Sequence, residues 1–286
     1  MKIKEVIGKI LEYHPQFPAD YAGCDDYKCG DPDVECTGVV TALVPNIDTI
    51  RETIRLGCNL MIVHEPTFYS TMDYPEWKAD FSNNVYEEKK KLLEEHGIVI
   101  WRDHDHMHMH QPDSIFTGVT KHLGWEEFAR HTDENEPFTF KFDHPECTVE
   151  ELHQELTEKL KLNGLRYIGN PQAKVRTIAI VGHLCLNSLF DDHMDENGYF
   201  VEYGTEVIRQ MEKSGVDVIL PGEIIEWTVL SYIRDAVELG YNKAMFNIGH
   251  FNWEELGMRY AKDWIEDLVA GEVPVHYVRC KDMYRY

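Results

Sequence analysis

Short apolar runs alternate with longer amphipathic segments along most of the chain. The apolar runs predict strands at residues 39–44, 60–63, 98–101, 178–181, 216–220 and 244–248. The segments between them carry apolar residues at spacings of three and four, and they predict helices at 47–56, 84–96, 148–160, 203–214, 226–239 and 253–268. Strands that alternate with helices of ten or more residues indicate an α/β fold of layered sheets and helices.

The pattern also indicates two α/β domains. The polar segment 129–147, interrupted by Pro137 and Pro145, predicts a boundary between them. We expect the first domain to comprise residues 1–128, with 244–286 returning to it, and the second to comprise 129–243. Residues 188–198 are rich in Asp, Asn and His and predict a surface loop.

The net charge and composition limit the kinds of molecule that the chain is expected to bind. The 286 residues carry a formal charge of −23 and are 43% hydrophobic, so the chain can bury a core but repels nucleic acid and anionic lipid. An anionic substrate would need local positive charge, such as bound divalent metal. The N-terminus predicts an amphipathic helix rather than a signal peptide, and no apolar run reaches the roughly 18 residues of a membrane span. We therefore expect a cytoplasmic protein without membrane or nucleic-acid partners.

Seven scattered cysteines predict reduced thiols. Cys24, Cys29 and Cys36 could in principle form a zinc knuckle. Their spacing is not C-x-x-C, however, and no second pair follows, so free thiols are the better interpretation.

Histidines and carboxylates follow three of the predicted strands directly. His64 and Glu65 come after 60–63, the histidine-rich run 104–110 comes after 98–101, and His250 comes after 244–248. Open α/β sheets bind ligands at the carboxyl ends of their strands. Imidazole with carboxylate suits zinc, iron or manganese, so these residues predict a metal site.

Four histidines alternate within the run 104–110, namely His104, His106, His108 and His110. In an extended segment they would share one face, which leaves open which of them bind metal. The alternative is a solvated strand end that binds metal only adventitiously.

The segment 249–255 suggests a ligand pair. Asn252 is predicted to cap a helix, which places Glu254 and Glu255 in its first turn. Glu255 is explained by the helix dipole alone. His250 followed four residues later by Glu254 suits metal binding. On the residues alone, Glu223 and Glu226 after the 216–220 strand are turn and cap residues, and His183 is undecided.

Motifs for other chemistries are missing from the sequence. It contains no G-x-x-x-x-G-K-[ST], no G-x-G-x-x-G, no G-x-S-x-G and no H-E-x-x-H. These absences disfavour nucleotide-binding P-loop proteins, dinucleotide enzymes, α/β-hydrolases and zincins.

The order of motifs resembles a known family. The motifs are Val-His-Glu-Pro at 63–66, His-x-x-x-His at 104–108, Pro-Gly-Glu at 221–223 and Gly-His-x-x-x-Glu at 249–254. In this order, and over most of the chain, they resemble the NIF-three-like dinuclear metal-centre proteins, also known as type-two homologues of GTP cyclohydrolase I. The resemblance implies two interlinked α/β domains, two divalent metal ions in the cleft between them, and a toroidal homohexamer.

The resemblance also implies which residues bind the metals. The family usually has His-His-Pro and His-x-x-x-Asp, whereas this chain has Glu65 and His108 at the exchanged positions, so the ligand total and charge can be conserved. The ligands that the resemblance implies are His64, Glu65, His108, His250 and Glu254, with His104 as a ligand or proton carrier. The glycine-rich stretch of the family is altered around His183, which suggests a different substrate.

The resulting hypothesis is a metal-dependent hydrolase acting on a small substrate, including nucleotide- or phosphate-bearing ones. Two metals roughly 3.5 to 4 Å apart would activate water. His104 or Glu223 would then move the proton as catalytic residues. The alternatives are a ring-opening enzyme of the GTP cyclohydrolase type and a non-catalytic hexameric protein that binds metal or a partner. The sequence does not identify the substrate or the native metal.

Overall fold

The computed structural model describes residues 1–73, 83–130, 132, 136–184 and 192–284. In chain order the helices are α1 (Ile3–Tyr13), α2 (Ile47–Arg55), α3 (Asn84–Glu95), α4 (Asp105–Met109), α5 (Ser114–Leu123), α6 (Val149–Leu160), α7 (Tyr203–Lys213), α8 (Val229–Glu238) and α9 (His250–Val269). The strands are β1 (Asp26–Cys29), β2 (Val39–Ala42), β3 (Leu60–Val63), β4 (Val99–Arg102), β5 (Ala129–Arg130), β6 (Phe138–Thr148), β7 (Arg166–Ile168), β8 (Lys174–Val181), β9 (His193–Met194), β10 (Phe200–Val201), β11 (Val218–Leu220), β12 (Ala244–Asn247) and β13 (Val275–Tyr277). The predicted α/β class is confirmed.

The chain divides into two compact units. The first comprises Met1–Gly118 and Glu254–Asp282, and the second comprises Val119–Trp253 with Met283–Tyr286. The divisions predicted from the sequence lie near residues 128 and 244. The first unit is therefore built from two separate parts of the chain, with the second inserted between them.

The first unit contains a five-stranded sheet in the order β1-β4-β3-β2-β13. Strands β4, β3, β2 and β13 are parallel, and β1 runs antiparallel to β4 at one edge. Every residue of β2, β3 and β4 is buried, as expected of parallel strands covered on both faces. The parallel arrangement brings the carboxyl ends of β3 and β4 to the same edge, where the histidines follow.

The second unit contains a six-stranded sheet in the order β5-β6-β8-β11-β12-β7. Strands β8, β11 and β12 are parallel, and β6 and β7 pair antiparallel with β8 and β12. Its core contains Val181, Val207, Ile219 and Ile233, all fully buried between this sheet and helices α7 and α8. Strands β9 and β10 form a separate two-stranded ribbon.

Two glycines allow an unusually close contact between α5 and α9 within the first unit. A Cβ on Gly118 would lie 2.8 Å from the Cα of Gly257, and a Cβ on Gly257 would lie 2.6 Å from the Cα of Ile115. Only glycine fits at such a backbone approach. The crossing sets the position of Glu254, one turn before Gly257 on α9.

Some local predictions were wrong. The segment 129–147, predicted as a polar boundary, contains β5 and most of the eleven-residue strand β6. Phe138, Phe140 and Phe142 alternate along β6 and are buried, and Pro145 lies where the pairing with β8 is irregular. The predicted loop at 188–198 lies outside the described residues up to position 191, and the ribbon of β9 and β10 follows.

Two further properties concern the described residues. The described cysteines are all free thiols, as predicted; they are Cys24, Cys29, Cys36, Cys58, Cys147 and Cys280. No helix in the part of the chain that the structure describes combines the length and the apolar character needed to cross a membrane.

Candidate metal centre

His64 is the innermost residue of the candidate site. It follows β3 directly, and none of its surface is exposed. Its Nδ1 lies 3.1 Å from the backbone carbonyl of Asp103, which follows the neighbouring strand β4. A carbonyl can only accept, so Nδ1 donates and carries the proton of the neutral ring. The Nε2 lone pair is then available to a ligand.

The histidine-rich run is helical rather than extended, which corrects the prediction that its four histidines share one face. Residues Asp105–Met109 form the short helix α4. Residues four apart on a helix lie on the same side, whereas residues two apart do not. His104 and His108 therefore face His64, with ring centroids 4.4 and 4.9 Å from its ring, and His106 and His110 do not join this group.

His108 is oriented in the same manner as His64. Its Nδ1 donates to Asp113 Oδ2 over 2.6 Å, and its Nε2 lies 3.1 Å from His64 Nε2. Asp113 also accepts the backbone N–H of Phe116 in the first turn of α5, which fixes the carboxylate. Asp113 was not predicted as a site residue; its position five residues after His108 was the available signal.

Two glutamates complete the cluster. Glu254 on α9 is 2% exposed, and its Oε2 lies 3.4 Å from His64 Nε2. Glu65, adjacent to His64, is 8% exposed, and its Oε2 lies 3.7 Å from a guanidinium nitrogen of Arg102. His64, Glu65 and Glu254 each place one ligand atom within 4.8 Å of the others. The first unit thus brings together five predicted site residues: His64, Glu65, His104, His108 and Glu254.

The carboxylates and the histidines of the cluster shift one another's pKa values. Burial alone lowers the pKa of His108, but Asp113, Glu254 and Glu65 outweigh burial and raise that pKa to about 9. Burial lowers the pKa of His104, and the neighbouring His64 lowers it further, against the opposing effect of Asp105. His104 is therefore a neutral imidazole at neutral pH, with its Nδ1 held 2.7 Å from Asp105 Oδ1.

Asp25 positions the histidine helix from a distant part of the sequence. Its carboxylate accepts the backbone N–H groups of His104, Asp105 and His106, at 2.7 to 3.0 Å, and so satisfies the free donors at the start of α4. The ring of His106 also donates to it over 2.7 Å. This role of Asp25 could not be predicted from the sequence, because nothing local links residue 25 to residue 104.

His110 belongs to a second, partly buried network around His14, and the ring of His106 packs beside His14 with 5.4 Å between centroids. His14 bridges Asp103 Oδ2 at 2.9 Å and His110 Nε2 at 2.7 Å. His14 and Asp103 are almost completely buried. These side chains join α1 to the segment after β4, which explains why the run needs more histidines than the cluster around His64 uses.

Glu223, His183 and His250 lie together in the second unit. His250 Nδ1 lies 3.1 Å from Glu223 Oε1, and the rings of His183 and His250 are 4.5 Å apart between centroids. The Glu223 backbone N–H donates to His183 Nδ1 over 3.0 Å. A Cβ on Gly222 would lie 2.6 Å from that same nitrogen, so a larger residue at this position would have to displace the His183 ring. His183, left undecided by the sequence, is thus part of the group around Glu223.

The prediction that Asn252 caps α9 is wrong. The helix begins at His250, and the Gly249 carbonyl accepts the N–H of Trp253 as its first internal bond. Asn252 lies inside the first turn, where its side-chain amide donates to the Ile248 carbonyl over 3.1 Å. His250 and Glu254 are consequently one full turn apart on a single helix.

The prediction that the helix dipole alone explains Glu255 is also wrong. Glu255 is buried, and its carboxylate accepts hydrogen bonds from the Tyr277 hydroxyl and the Cys280 N–H.

The donor set in the first unit fits a transition-metal ion. Metal–imidazole bonds of roughly 2.0–2.1 Å place two ring nitrogens on one ion at about 3 Å from each other. The two Nε2 atoms of His64 and His108 are 3.1 Å apart, and both Nδ1 atoms are already engaged by oxygens. Buried carboxylates at the same place balance the cationic charge. The fold and this cluster define an α/β protein with a histidine–carboxylate centre of metal-binding type.

Comparison with known proteins gives the family. The Duf34/NIF3 (NGG1p interacting factor 3) family model matches residues 1–191, so this chain belongs to that family. A relative from Clostridium acetobutylicum named GTP cyclohydrolase 1 type 2 homolog is 23% identical over 261 residues, covering 89% of this chain and 85% of the relative. The predicted family is confirmed.

Solved structures show the same fold. A hypothetical protein from Staphylococcus aureus is 19% identical with a TM-score of 0.72, covering 100% of this chain and 99% of its own. A Bacillus cereus protein related to NIF3 is 15% identical with a TM-score of 0.72 and the same coverage.

Proposed function

We propose that this chain is a metal-dependent hydrolase that acts on a small nucleotide- or phosphate-bearing substrate with two divalent metal ions. The supporting observation is the pair of Nε2 atoms of His64 and His108, 3.1 Å apart and each pre-set by an oxygen on the opposite ring nitrogen. Such preorganisation is typical of a metal site. The cluster lies at the carboxyl ends of β3 and β4, where α/β sheets bind ligands.

His64, Glu65, His108 and Glu254 would hold metal in the first unit. His250 is proposed as a further ligand, because it lies one helical turn before Glu254 on α9. When bound, divalent metal lowers the pKa of water and polarises an oxygen of the substrate.

His104 is the proposed proton acceptor. Its ring stacks on His64 with 4.4 Å between centroids, and Asp105 holds its Nδ1, which leaves Nε2 as the basic atom. Its lowered pKa keeps the ring neutral and able to accept a proton at neutral pH. Glu223 contacts the ring of His250 and is proposed to hold that ring in orientation, in addition to the proton transfer expected from the sequence.

Metal content is the first test. We would measure bound transition metal per chain on protein purified without a histidine tag, comparing wild type with His64→Ala, Glu254→Ala and the control His96→Ala. His96 is exposed at the end of α3. We expect close to two ions in wild type and in the control, and clear loss in both site variants. Equal metal content in all four proteins would refute the site.

Hydrolysis is tested separately on the metal-loaded protein, with a panel of nucleotides, phosphate esters and cyclic amides. Conversion of His104 to Gln should reduce turnover while the metal stays bound, because the proposed role of His104 is proton transfer. A loaded protein that turns over no member of the panel would favour a metal-binding protein without catalysis.

A ring-opening reaction of the GTP cyclohydrolase type is the second candidate. It is favoured by the name of the relative from Clostridium acetobutylicum, GTP cyclohydrolase 1 type 2 homolog. Formate released from GTP by the loaded protein, and lost in His64→Ala, would support this reaction over phosphate-ester hydrolysis.

A homohexamer is proposed as the assembly. It can be tested by light scattering on the purified chain, where a mass near six times the 33.4 kDa of one chain is expected. A monomeric or dimeric mass would contradict it.

A further inference from the structure

A large cavity in the first unit concentrates positive charge that the proposed metal centre does not use. Its volume is about 880 Å³, and it lies along β13, the last strand of its sheet, between residues of α2 and α9. None of the residues that line it belongs to the cluster around His64. Its size falls within the range of small-molecule sites.

The charge of the lining is opposite to that of the chain. Six cationic side chains face three carboxylates, which gives a local formal charge of +3 in a chain of −23; the cations are Arg51, Arg55, Arg259, Lys262, Arg279 and Lys281. More than a fifth of the 28 lysines and arginines of the chain are thus gathered at one concave place. Such a concentration favours a bound anion over a solvated face.

Some of these cations are already neutralised by neighbours. Arg55 is held by both oxygens of Glu52, at 2.8 and 2.6 Å, and Lys281 lies 3.0 Å from Asp48. Lys262 pairs with Glu266. Arg51 and Arg279, by contrast, have no carboxylate in ion-pair contact among the residues that the structure describes, and both are exposed.

The two arginines come from different elements that converge on the cavity. Arg51 lies on α2. Arg279 lies two residues beyond β13, in a segment that is held by hydrogen bonds to a residue of α9. That residue is Glu255, which accepts the Tyr277 hydroxyl at 3.0 Å and the Cys280 N–H at 2.7 Å. The two bonds flank Arg279 and fix the backbone that presents it. A guanidinium on a fixed backbone binds phosphate oxygens through two parallel hydrogen bonds.

We propose that this cavity, the arginine cavity, is a binding site for a small molecule with two or more phosphate groups. Two separate guanidinium groups suit a ligand with several phosphates, and the volume of the cavity leaves room for an attached organic group. The site is independent of the metal centre and of the proposed hydrolysis.

The test is calorimetric titration of inorganic tripolyphosphate into the full chain, freed of metal by dialysis against a chelator so that metal cannot bind the probe. Wild type is compared with Arg51→Gln/Arg279→Gln and with the charge-matched control Lys174→Gln/Arg176→Gln, whose residues are exposed on β8. We expect saturable binding in wild type and the control, weakened at least tenfold in the cavity variant and by added salt.

Either of two results would overturn the proposal, with circular dichroism showing that all three proteins are folded. One is the absence of saturable binding in wild type, and the other is equal binding in all three proteins. If wild type does not bind and the cavity variant also changes its assembly mass, the arginine cavity is assigned instead to contact with the acidic surface of another copy of the chain.

Discussion

The Nε2 atoms of His64 and His108 face each other across 3.1 Å, while a backbone carbonyl holds the other ring nitrogen of His64 and a carboxylate holds that of His108. Both rings are therefore fixed before any ligand arrives. This orientation is supplied by Asp103 and Asp113, neither of which needs to touch metal.

Asp113→Asn should weaken metal binding without removing a ligand. The amide is a weaker acceptor for His108 Nδ1–H and no longer supplies negative charge, so we expect affinity to fall by about 10- to 100-fold. The metal affinity is measured by competition with a chromophoric chelator. Asp235→Asn, at an exposed position of α8, is the matched control and should bind as wild type does. Equal affinity in both variants would mean that Asp113 does not orient His108.

Gly257→Ala should lower stability although alanine is the better helix former. The new Cβ would lie 2.6 Å from the Cα of Ile115 and push α9 away from α5. We expect a loss of about 1–3 kcal/mol, as for other overpacked sites, together with reduced metal retention because Glu254 moves. Gly8→Ala is the control, since Gly8 lies within α1 with no atom within 4 Å of its Cβ position. Urea unfolding should show that this control gains up to about 1 kcal/mol.

Gly222→Ala should disturb the position of His183. The added methyl would meet His183 Nδ1 at 2.6 Å, whereas an alanine at Gly182 meets nothing within 4 Å. We expect a loss of about 1–3 kcal/mol for Gly222→Ala and little change for Gly182→Ala. Thermal unfolding measures the difference, and an altered His183 ring signal in NMR spectra should accompany it only in the first variant. Similar behaviour of the two variants would contradict the close contact.

The His144–Glu155 pair should make the second unit less stable in alkali. Burial lowers the pKa of His144, but contacts with Cys147, Glu155 and the Pro145 carbonyl outweigh burial and raise it to about 9. A raised folded-state pKa means that the stabilisation is complete below the ordinary value of 6.5 and is lost as pH rises through 9. The effect is at most about 3 kcal/mol.

An NMR titration of the His144 ring tests this directly. We expect a midpoint near 9 that moves down in Glu155→Gln, because the ring then loses its carboxylate partner at 3.2 Å. A midpoint near 6.5 in wild type would show that the pair does not hold the proton.

Phe142→Ala should destabilise the second unit by about 3–5 kcal/mol, because the side chain is fully buried on β6 and its removal leaves a cavity. Phe200 is 57% exposed on β10, and Phe200→Ala should change the free energy of unfolding by less than about 0.5 kcal/mol. Chemical denaturation compares the two. Equal small effects would argue against β6 as a core strand.

The parallel strands were predictable because a short apolar run is enough to identify each of them. A run such as Leu60–Val63 is apolar at every position, and a strand buried on both faces needs that pattern. Strand β6 was missed because acids and prolines around it dominate the composition. The alternating Phe138, Phe140 and Phe142 were nevertheless the correct signal, since a strand with one buried face has a period of two.

Local sequence patterns predict only part of the candidate site. The strand ends and the start of a helix indicated His64, the histidine run and Glu254, whereas only the resemblance to the family singled out His108 within that run. The sequence did not indicate that the histidine run is helical, because the residue that stabilises that helix, Asp25, is about eighty positions away. Helix and extended chain give different histidine faces, and a tertiary contact decides between them.

Because the first unit is built from two separate segments of the chain, the ribosome synthesises its two parts at different times. Residues 119–253 form a continuous unit that can fold once they have emerged, whereas the first unit still lacks most of α9 and all of β13 at that moment. Domains fold as units during synthesis, and pairing between distant segments waits until both are present. His64 and His108 are therefore made before the second unit and Glu254 only after it, so a chain that terminates within the second unit carries the histidines without the carboxylate that completes their cluster.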